Sequence, residues 1–263
     1  MTLEGKRIVV VGGTTGLGLS AARAFVAAGA RVLVTGRDSD RVAAAVKSLG
    51  ESGAGLPGDA SDPVAATAAI DRIVELWGGL DGLYHVAGGS GRQFGDGPLH
   101  ELTDEGVRKT IDLNLTSVIY SNRAAVRRFL EENRGGSILN MGSVLGYAPS
   151  SPFFSAHVYA TTKAAIIGLT RSAANHYASR NIRFNVLAPA VTETPMARRA
   201  AEDDTILRFI ETKQRLDGGR MGRPEDCDAA AVYFMSDAAR FTTGQLLAVD
   251  GGWSISEGQI PQQ

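Results

Sequence analysis

Ile8-Val9-Val10-Val11 is a continuous run of β-branched residues with no polar alternation. That is the pattern of a strand covered on both faces in a parallel sheet. The run passes straight into Gly12-Gly13-Thr14-Thr15-Gly16-Leu17-Gly18. Apolar positions then recur at Leu19, Ala22, Phe25 and Val26 until Gly29 stops them, so the predicted order is strand, glycine turn, amphipathic helix. Arg31 to Thr35 gives a second strand, Gly36-Arg37-Asp38 a turn, and Ser39 to Leu49 a helix capped by Asp38 or Ser39. The alternation continues through a short strand near Leu56, a helix over Pro63 to Trp77 and a strand over Leu80 to Val86. A glycine-rich loop from Gly88 to Pro98 and a long helix from Thr103 to Asn133 follow. A strand from Ser137 to Met141, a helix carrying Tyr159 (taken as Ser155 to Arg180), and strands Ile182 to Leu187 and Gln245 to Val249 complete it.

Unbroken alternation predicts an α/β fold: one doubly wound Rossmann-like domain over 1–263, with about seven parallel strands and helices on both faces. The segment 194–223 interrupts the rhythm. It is rich in Arg, Asp and Glu but carries Ile206, Leu207, Phe209 and Ile210, and is read as a helical insertion over the substrate.

Composition narrows the function. With 44% hydrophobic and 21% charged residues the chain is an ordinary core-forming protein. A net charge of -1 and a pI near 6.4 give no basic footprint, so no nucleic-acid partner is expected. No apolar run is long enough to span a bilayer, so no membrane partner is expected. The lone Cys227 allows no internal disulfide and no thiolate metal cluster. With no leader pattern at Met1 to Arg7, the expected location is cytoplasmic.

The candidate chemistry lies at two places. Placed between a buried strand and a helix, Gly12, Gly16 and Gly18 let backbone amides approach a pyrophosphate at a helix N-terminus. At the end of the second strand a carboxylate would accept from the ribose of NAD, whereas an Arg would meet the extra phosphate of NADP. Gly36 offers no acid and Arg37 stands beside it, so NADP(H) is expected over NAD(H). Further along, Tyr159 and Lys163 share a helix face if the segment is helical, with Cβ atoms roughly 5 to 6 Å apart. An ammonium at that range is expected to lower the phenol below its usual value near ~10 and ready it for proton transfer to a carbonyl.

The chain resembles the short-chain dehydrogenase/reductase family over essentially its whole length. The matching residues are Gly12-x-x-x-Gly16-x-Gly18, Asp59, Ala87-Gly88, Asn114, Ser143, Tyr159-x-x-x-Lys163, Asn185-x-Val-x-Ala-Pro189 and Thr194. Gly222-Arg223-Pro224, Thr243-Gly244 and Val249-Asp250-Gly251-Gly252 follow in order. The resemblance implies that Gly12, Thr14, Thr15, Gly16, Leu17 and Gly18 cradle the cofactor, with Arg37 at its ribose. Asp59 and Ala60 would meet the adenine, Ala87 and Gly88 would line the sugar, and Pro189, Val191 and Thr194 would bracket the nicotinamide. It implies that Tyr159 exchanges the proton, Ser143 orients the same oxygen, Lys163 tunes Tyr159 and holds the ribose, and Asn114 distorts its helix to hold a water in the relay. A homotetramer or homodimer, packed through the helices at 103–133 and 155–180, is implied on the same ground.

Some positions depart from the family pattern. Val11 stands in place of a Thr, His85-Val86 in place of two Asn, and Ala190 in place of a Gly; the first two are read as removing hydrogen-bonding groups from strand ends. The stretch between Ser143 and Tyr159 is longer than usual, and Ser150-Ser151-Pro152-Phe153-Phe154 is expected to enlarge the pocket rim. An enoyl reductase resembles Tyr-x6-Lys, but Ile166 holds that position. The Gly-x-x-Gly-x-x-Gly of longer relatives fails at Leu19. The expected activity is hydride exchange between a nicotinamide and an alcohol or ketone carbon of an apolar substrate. A 3-oxoacyl thioester is the alternative substrate, and a catalytically silent cofactor-sensing protein the alternative function.

Overall fold

The β-branched run becomes β1 (Arg7–Val11), and the glycine turn leads into α1 (Gly16–Ala27). These open a computed structural model that describes residues 1–150 and 153–260. Next come β2 (Arg31–Gly36), α2 (Ser39–Leu49), β3 (Gly53–Pro57), α3 (Pro63–Trp77) and β4 (Gly82–His85). The helix starts are chemical: Asp38 accepts from the amides of Asp40 and Arg41, and Asp62 from that of Val64 with Pro63 just inside. Gly78, at φ 79°, ends α3 in the left-handed conformation that glycine tolerates.

The expected helix over 103–133 is two helices, α4 (Asp104–Ile111) and α5 (Ser117–Glu131), joined by a π-helical turn at Asp112–Thr116. The cause is Asn114, fully buried in that turn. Its Nδ2 donates to the carbonyls of Thr110 and Gly89, both at 2.9 Å, and its Oδ1 accepts from the Gly89 amide at 3.0 Å. The remaining elements are β5 (Gly136–Met141), α6 (His157–Tyr177), β6 (Ile182–Pro189), α7 (Arg198–Ala201), α8 (Asp204–Lys213), α9 (Asp228–Met235) and β7 (Leu246–Val249). The segment 194–223 thus folds as short helices, and Ile206, Phe209 and Ile210 of α8 are buried as its apolar spacing predicted.

The strands form one parallel sheet in the order β3-β2-β1-β4-β5-β6-β7. The chain winds outward from β1 in one direction and then resumes on β1's other side with β4. At such a switch point the loops after neighbouring strands splay apart and leave a crevice at their carboxyl ends.

Two apolar layers sandwich the sheet. Ile8 and Val10 face Phe25 and Phe234, while Val9 and Val11 face Ile73 and Phe129. Phe129 of α5 is fully buried, and its ring fills the space that a Cβ on Gly136 would need. Phe129→Ala should therefore lower stability by about 3–5 kcal/mol, read as a lower urea midpoint with an unchanged slope.

His85 corrects one expectation. Instead of losing a hydrogen-bonding group, the strand end keeps one: the imidazole is fully buried, with Nδ1 at 2.7 Å from the Ser121 hydroxyl and Nε2 at 3.2 Å from the Ala87 carbonyl. Burial first, and then the Lys163 charge, push its pKa down to about 3, so His85 is a neutral brace between β4 and α5.

Candidate active site

A cavity of about 630 Å³ opens at the carboxyl ends of β1, β2, β4, β5 and β6. Its wall at the β1 end is backbone. A Cβ on Gly12 would stand 2.6 Å from the Ala87 amide nitrogen, and one on Gly16 would stand 3.2 Å from the Thr194 methyl. Both glycines have positive φ, 83° and 50°, which side chains rarely adopt. The turn therefore presents amide groups flush with the cavity where α1 begins.

At one extremity Arg37, Asp38, Asp59 and Ala60 line the cavity. A Cβ at Gly36 would stand 2.7 Å from the Thr14 methyl, so no carboxylate fits there unless Thr14 moves. Asp38 is committed elsewhere, to the α2 amides and to Arg41 at 3.4 Å. Asp59 accepts from both the amide and the hydroxyl of Ser61, at 2.9 and 2.7 Å. Burial opposes its charge, but the Ser61 bonds and the Arg37 charge outweigh it and hold the carboxyl below its ordinary value.

At the centre, Ser143 follows β5, while Tyr159 and Lys163 occupy the first turns of α6. The backbone at Tyr159 is fixed by buried Asp96, whose carboxylate accepts from the amides of Val158 and Tyr159 at 3.1 and 2.9 Å. Ser143 Oγ accepts from the Leu145 amide at 3.2 Å and faces the Tyr159 hydroxyl. Lys163 Nζ lies 5.5 Å from the centre of the Tyr159 ring and donates to the Met141 carbonyl at 2.8 Å. Burial lowers the ammonium to about 8.

The expected lowering of Tyr159 by Lys163 is corrected. Burial raises the phenol above its ordinary value and only Ser143 pulls it back, because the ammonium is directed at a backbone carbonyl rather than at the phenol oxygen.

Most of the expected site residues line this one cavity. They are Gly12, Thr14, Thr15, Gly16, Leu17, Arg37, Asp59, Ala60, Ala87, Gly88, Ser143, Tyr159, Lys163, Pro189, Val191 and Thr194. Two do not. Gly18 lies behind the turn, where a Cβ would collide with the Gly12 carbonyl, so it allows the turn to form without touching the cavity. Asn114 is walled off behind Gly88, on which a Cβ would meet its Oδ1 at 2.7 Å and Lys163 Nζ at 3.7 Å.

A model described as enoyl-(acyl carrier protein) reductase matches residues 11–254. A 2,5-dichloro-2,5-cyclohexadiene-1,4-diol dehydrogenase of Sphingobium indicum is 34% identical, covering 96% of this chain and 98% of that protein. A 3beta-hydroxysteroid dehydrogenase of Eggerthella lenta is 32% identical, covering 96% of each. The solved short-chain type dehydrogenase/reductase from Mycobacterium ulcerans superposes with a TM-score of 0.89 at 30% identity, covering 98% of this chain and 93% of that one. The chain belongs to the short-chain dehydrogenase/reductase family. It is accordingly an oxidoreductase of the type that acts on CH–OH groups with NAD(P)(H).

Sequence reasoning missed part of this short-chain dehydrogenase/reductase's cavity. Arg92, from the glycine-rich loop, and Trp253, from the far end of the chain, both line it. Phe154 of the expected rim lines it, together with Leu145 and Met196. Phe153 and Phe209 are not lining residues; their rings pack tilted at 56°, with centres 5.3 Å apart. Ser151 and Pro152 of the expected rim lie outside the described residues. Of the arginines in the 194–223 segment, only Arg199 lines the cavity.

Proposed function

We propose that the protein transfers a hydride reversibly between NADP(H) and an alcohol or ketone carbon, with Tyr159 as the proton-exchanging group. The observation that carries this is the convergence of Ser143, Tyr159 and Lys163 in the same cavity that the glycine turn lines. The cradle fits a dinucleotide, because Gly12 and Gly16 leave the backbone bare where any Cβ would obstruct it. The turn amides would hold the pyrophosphate, Arg37 the ribose phosphate, Asp59 and Ala60 the adenine, and Pro189, Val191 and Thr194 the nicotinamide. The bound nicotinamide supplies or accepts the hydride.

The chain's own groups manage the proton and the substrate oxygen. Tyr159, kept protonated at neutral pH by its burial, donates to the carbonyl oxygen in reduction and accepts from the hydroxyl in oxidation. Ser143 donates a hydrogen bond to the same oxygen as charge develops on it. Lys163 supplies positive potential beneath both and a donor for the ribose. Asn114 acts at one remove, setting the π-helical turn and the Gly88–Gly89 backbone against Lys163. Val144, Leu145, Phe154, Met196 and Trp253 supply apolar wall for the hydrocarbon around the reacting carbon. Ile166, seven residues after Tyr159, is fully buried and apolar, so the enoyl-reductase arrangement of Tyr and Lys is not formed.

A panel of ketones and secondary alcohols, followed through nicotinamide absorbance with each coenzyme, tests this reading. Tight cofactor binding with no turnover across the panel would replace it with the cofactor-sensing alternative. The coenzyme preference has its own test. Arg37→Ala should raise the KM for NADPH about 10- to 100-fold, the worth of a charge-assisted contact to phosphate, while changing that for NADH little. Equal effects on both would remove Arg37 from the ribose phosphate.

A further inference from the structure

Two guanidinium groups meet on the substrate side of the cavity, remote in sequence from one another. Arg199 donates to the Phe153 carbonyl at 2.8 Å, and Arg92 reaches the same oxygen at 3.5 Å. Both side chains line the cavity that holds Ser143 and Tyr159. Arg199 also lies over the Phe154 ring, 5.9 Å from its centre. A single neutral carbonyl is a poor counterpart for two positive charges. No ion pair among the described residues engages either guanidinium.

The acid nearest Arg92 is Asp96, whose two oxygens are occupied by the Val158 and Tyr159 amides. Burial, and then repulsion from Arg199, lower the Arg92 pKa from its ordinary value against the opposing charge of Asp96, so one carboxylate, already hydrogen-bonded to two amides, faces two guanidinium groups. The carboxylates that line the cavity, Asp38 and Asp59, stand at the Arg37 end. The same cavity takes apolar wall from Val144, Leu145, Phe154 and Met196.

We infer that the substrate is a keto acid or hydroxy acid whose carboxylate is held by Arg92 and Arg199 and whose hydrocarbon spacer delivers the carbonyl or hydroxyl to Tyr159 and Ser143. The inference rests on the hydride-transfer reading above and adds the substrate's charge to it. A planar guanidinium matches a carboxylate in a paired geometry that an ester cannot reproduce.

The test compares methyl-ketone acids of increasing chain length with their methyl esters, in the parent enzyme and in Arg92→Met, Arg199→Met and the double variant, with NADPH. At the chain length that spans from the arginine pair to Tyr159, the acid should exceed its ester in kcat/KM by about 10- to 100-fold, mainly through KM. That ratio should fall towards one in the double variant and partly recover in Arg92→Lys/Arg199→Lys. NADPH affinity, measured in every variant, reports whether the fold and the coenzyme end survive. Equal use of acids and esters by the parent, or a ratio unmoved by the double substitution, overturns the inference and leaves the hydride-transfer reading intact. So would a loss confined to NADPH affinity, or a preference for a 3-oxoacyl coenzyme A thioester over every acid, which would assign the arginine pair to phosphate. If no ketone is reduced, that reading falls, and calorimetry of the keto acids with the NADP-loaded protein still decides: binding lost in the double variant sustains the anion site, and no binding overturns it.

Discussion

Tyr159→Phe should lower kcat/KM for ketone reduction about 100- to 10,000-fold, the range covered by a positioned general acid, while the NADPH Kd stays within roughly a few-fold. The substitution removes one oxygen from a half-buried side chain and leaves the ring, so the amide contacts from Tyr159 and Val158 to Asp96 and the packing beneath them persist. The residual rate belongs to Ser143 and the bound cofactor. The pH dependence carries the sign of the assignment. Because burial holds the phenol above its ordinary value, reduction, which needs the protonated form, should be flat through neutrality and decline only in strong alkali. Oxidation, which needs the ionised form, should climb with pH over the same range in the parent and lose that climb in the variant. A Phe variant with near-parental activity would move the proton to another donor.

How much of this was legible in the sequence depended on whether the signal was local. β1, its glycine turn and α1 could be read because a buried run, a cluster of glycines and a helical period lie within one short stretch. α2 and α3 were placed at their observed bounds for a similar reason, since Asp38, Asp62 and Gly78 mark their ends. The break at Asp112–Thr116 leaves no mark in the periodicity. It exists because one amide side chain finds three backbone partners across a loop, and only the family resemblance pointed to it. Arg92 lies in the loop Ser90 to Pro98 that was expected to help build the pocket, but its pairing with Arg199 at the Phe153 carbonyl joins segments remote in sequence and leaves no local signal. Trp253 was hidden by distance, arriving from beyond β7 to place its ring edge-on to Phe154, with centres 5.3 Å apart. Lys163 lines the cavity beside Tyr159, but its tip is aimed elsewhere than expected. Spacing on a helix fixes which face a side chain leaves from, not that the Met141 carbonyl captures its tip.

That aim makes Lys163→Met the second decisive variant: it should be more stable than the parent at neutral pH yet nearly inactive. The ammonium is 3% exposed, and burial lowers its pKa from 10.5 to about 8. In the unfolded chain the amine keeps its ordinary pKa, so between these two values Lys163 binds more protons in the unfolded state, and its contribution to the parent's stability rises with pH across that window. Below about 8 the full penalty of burying the charge is present. Substituting an apolar chain of similar length removes it, for a gain of about 1–3 kcal/mol once the lost hydrogen bond to Met141 is set against it. The gain should shrink as pH climbs through the window, and above 10.5, where the parent's amine is neutral in both states, only the lost hydrogen bond to Met141 remains and the parent should be the more stable. Urea denaturation at stepped pH reads this directly. Turnover should fall by about 100- to 1,000-fold for want of positive potential beside the reacting oxygen. A variant less stable than the parent at pH 7 would mean that the Met141 contact outweighs desolvation, and that the ammonium is a structural tie. A gain in stability alongside lost turnover would mark it as a charge that folding resists and the reaction requires.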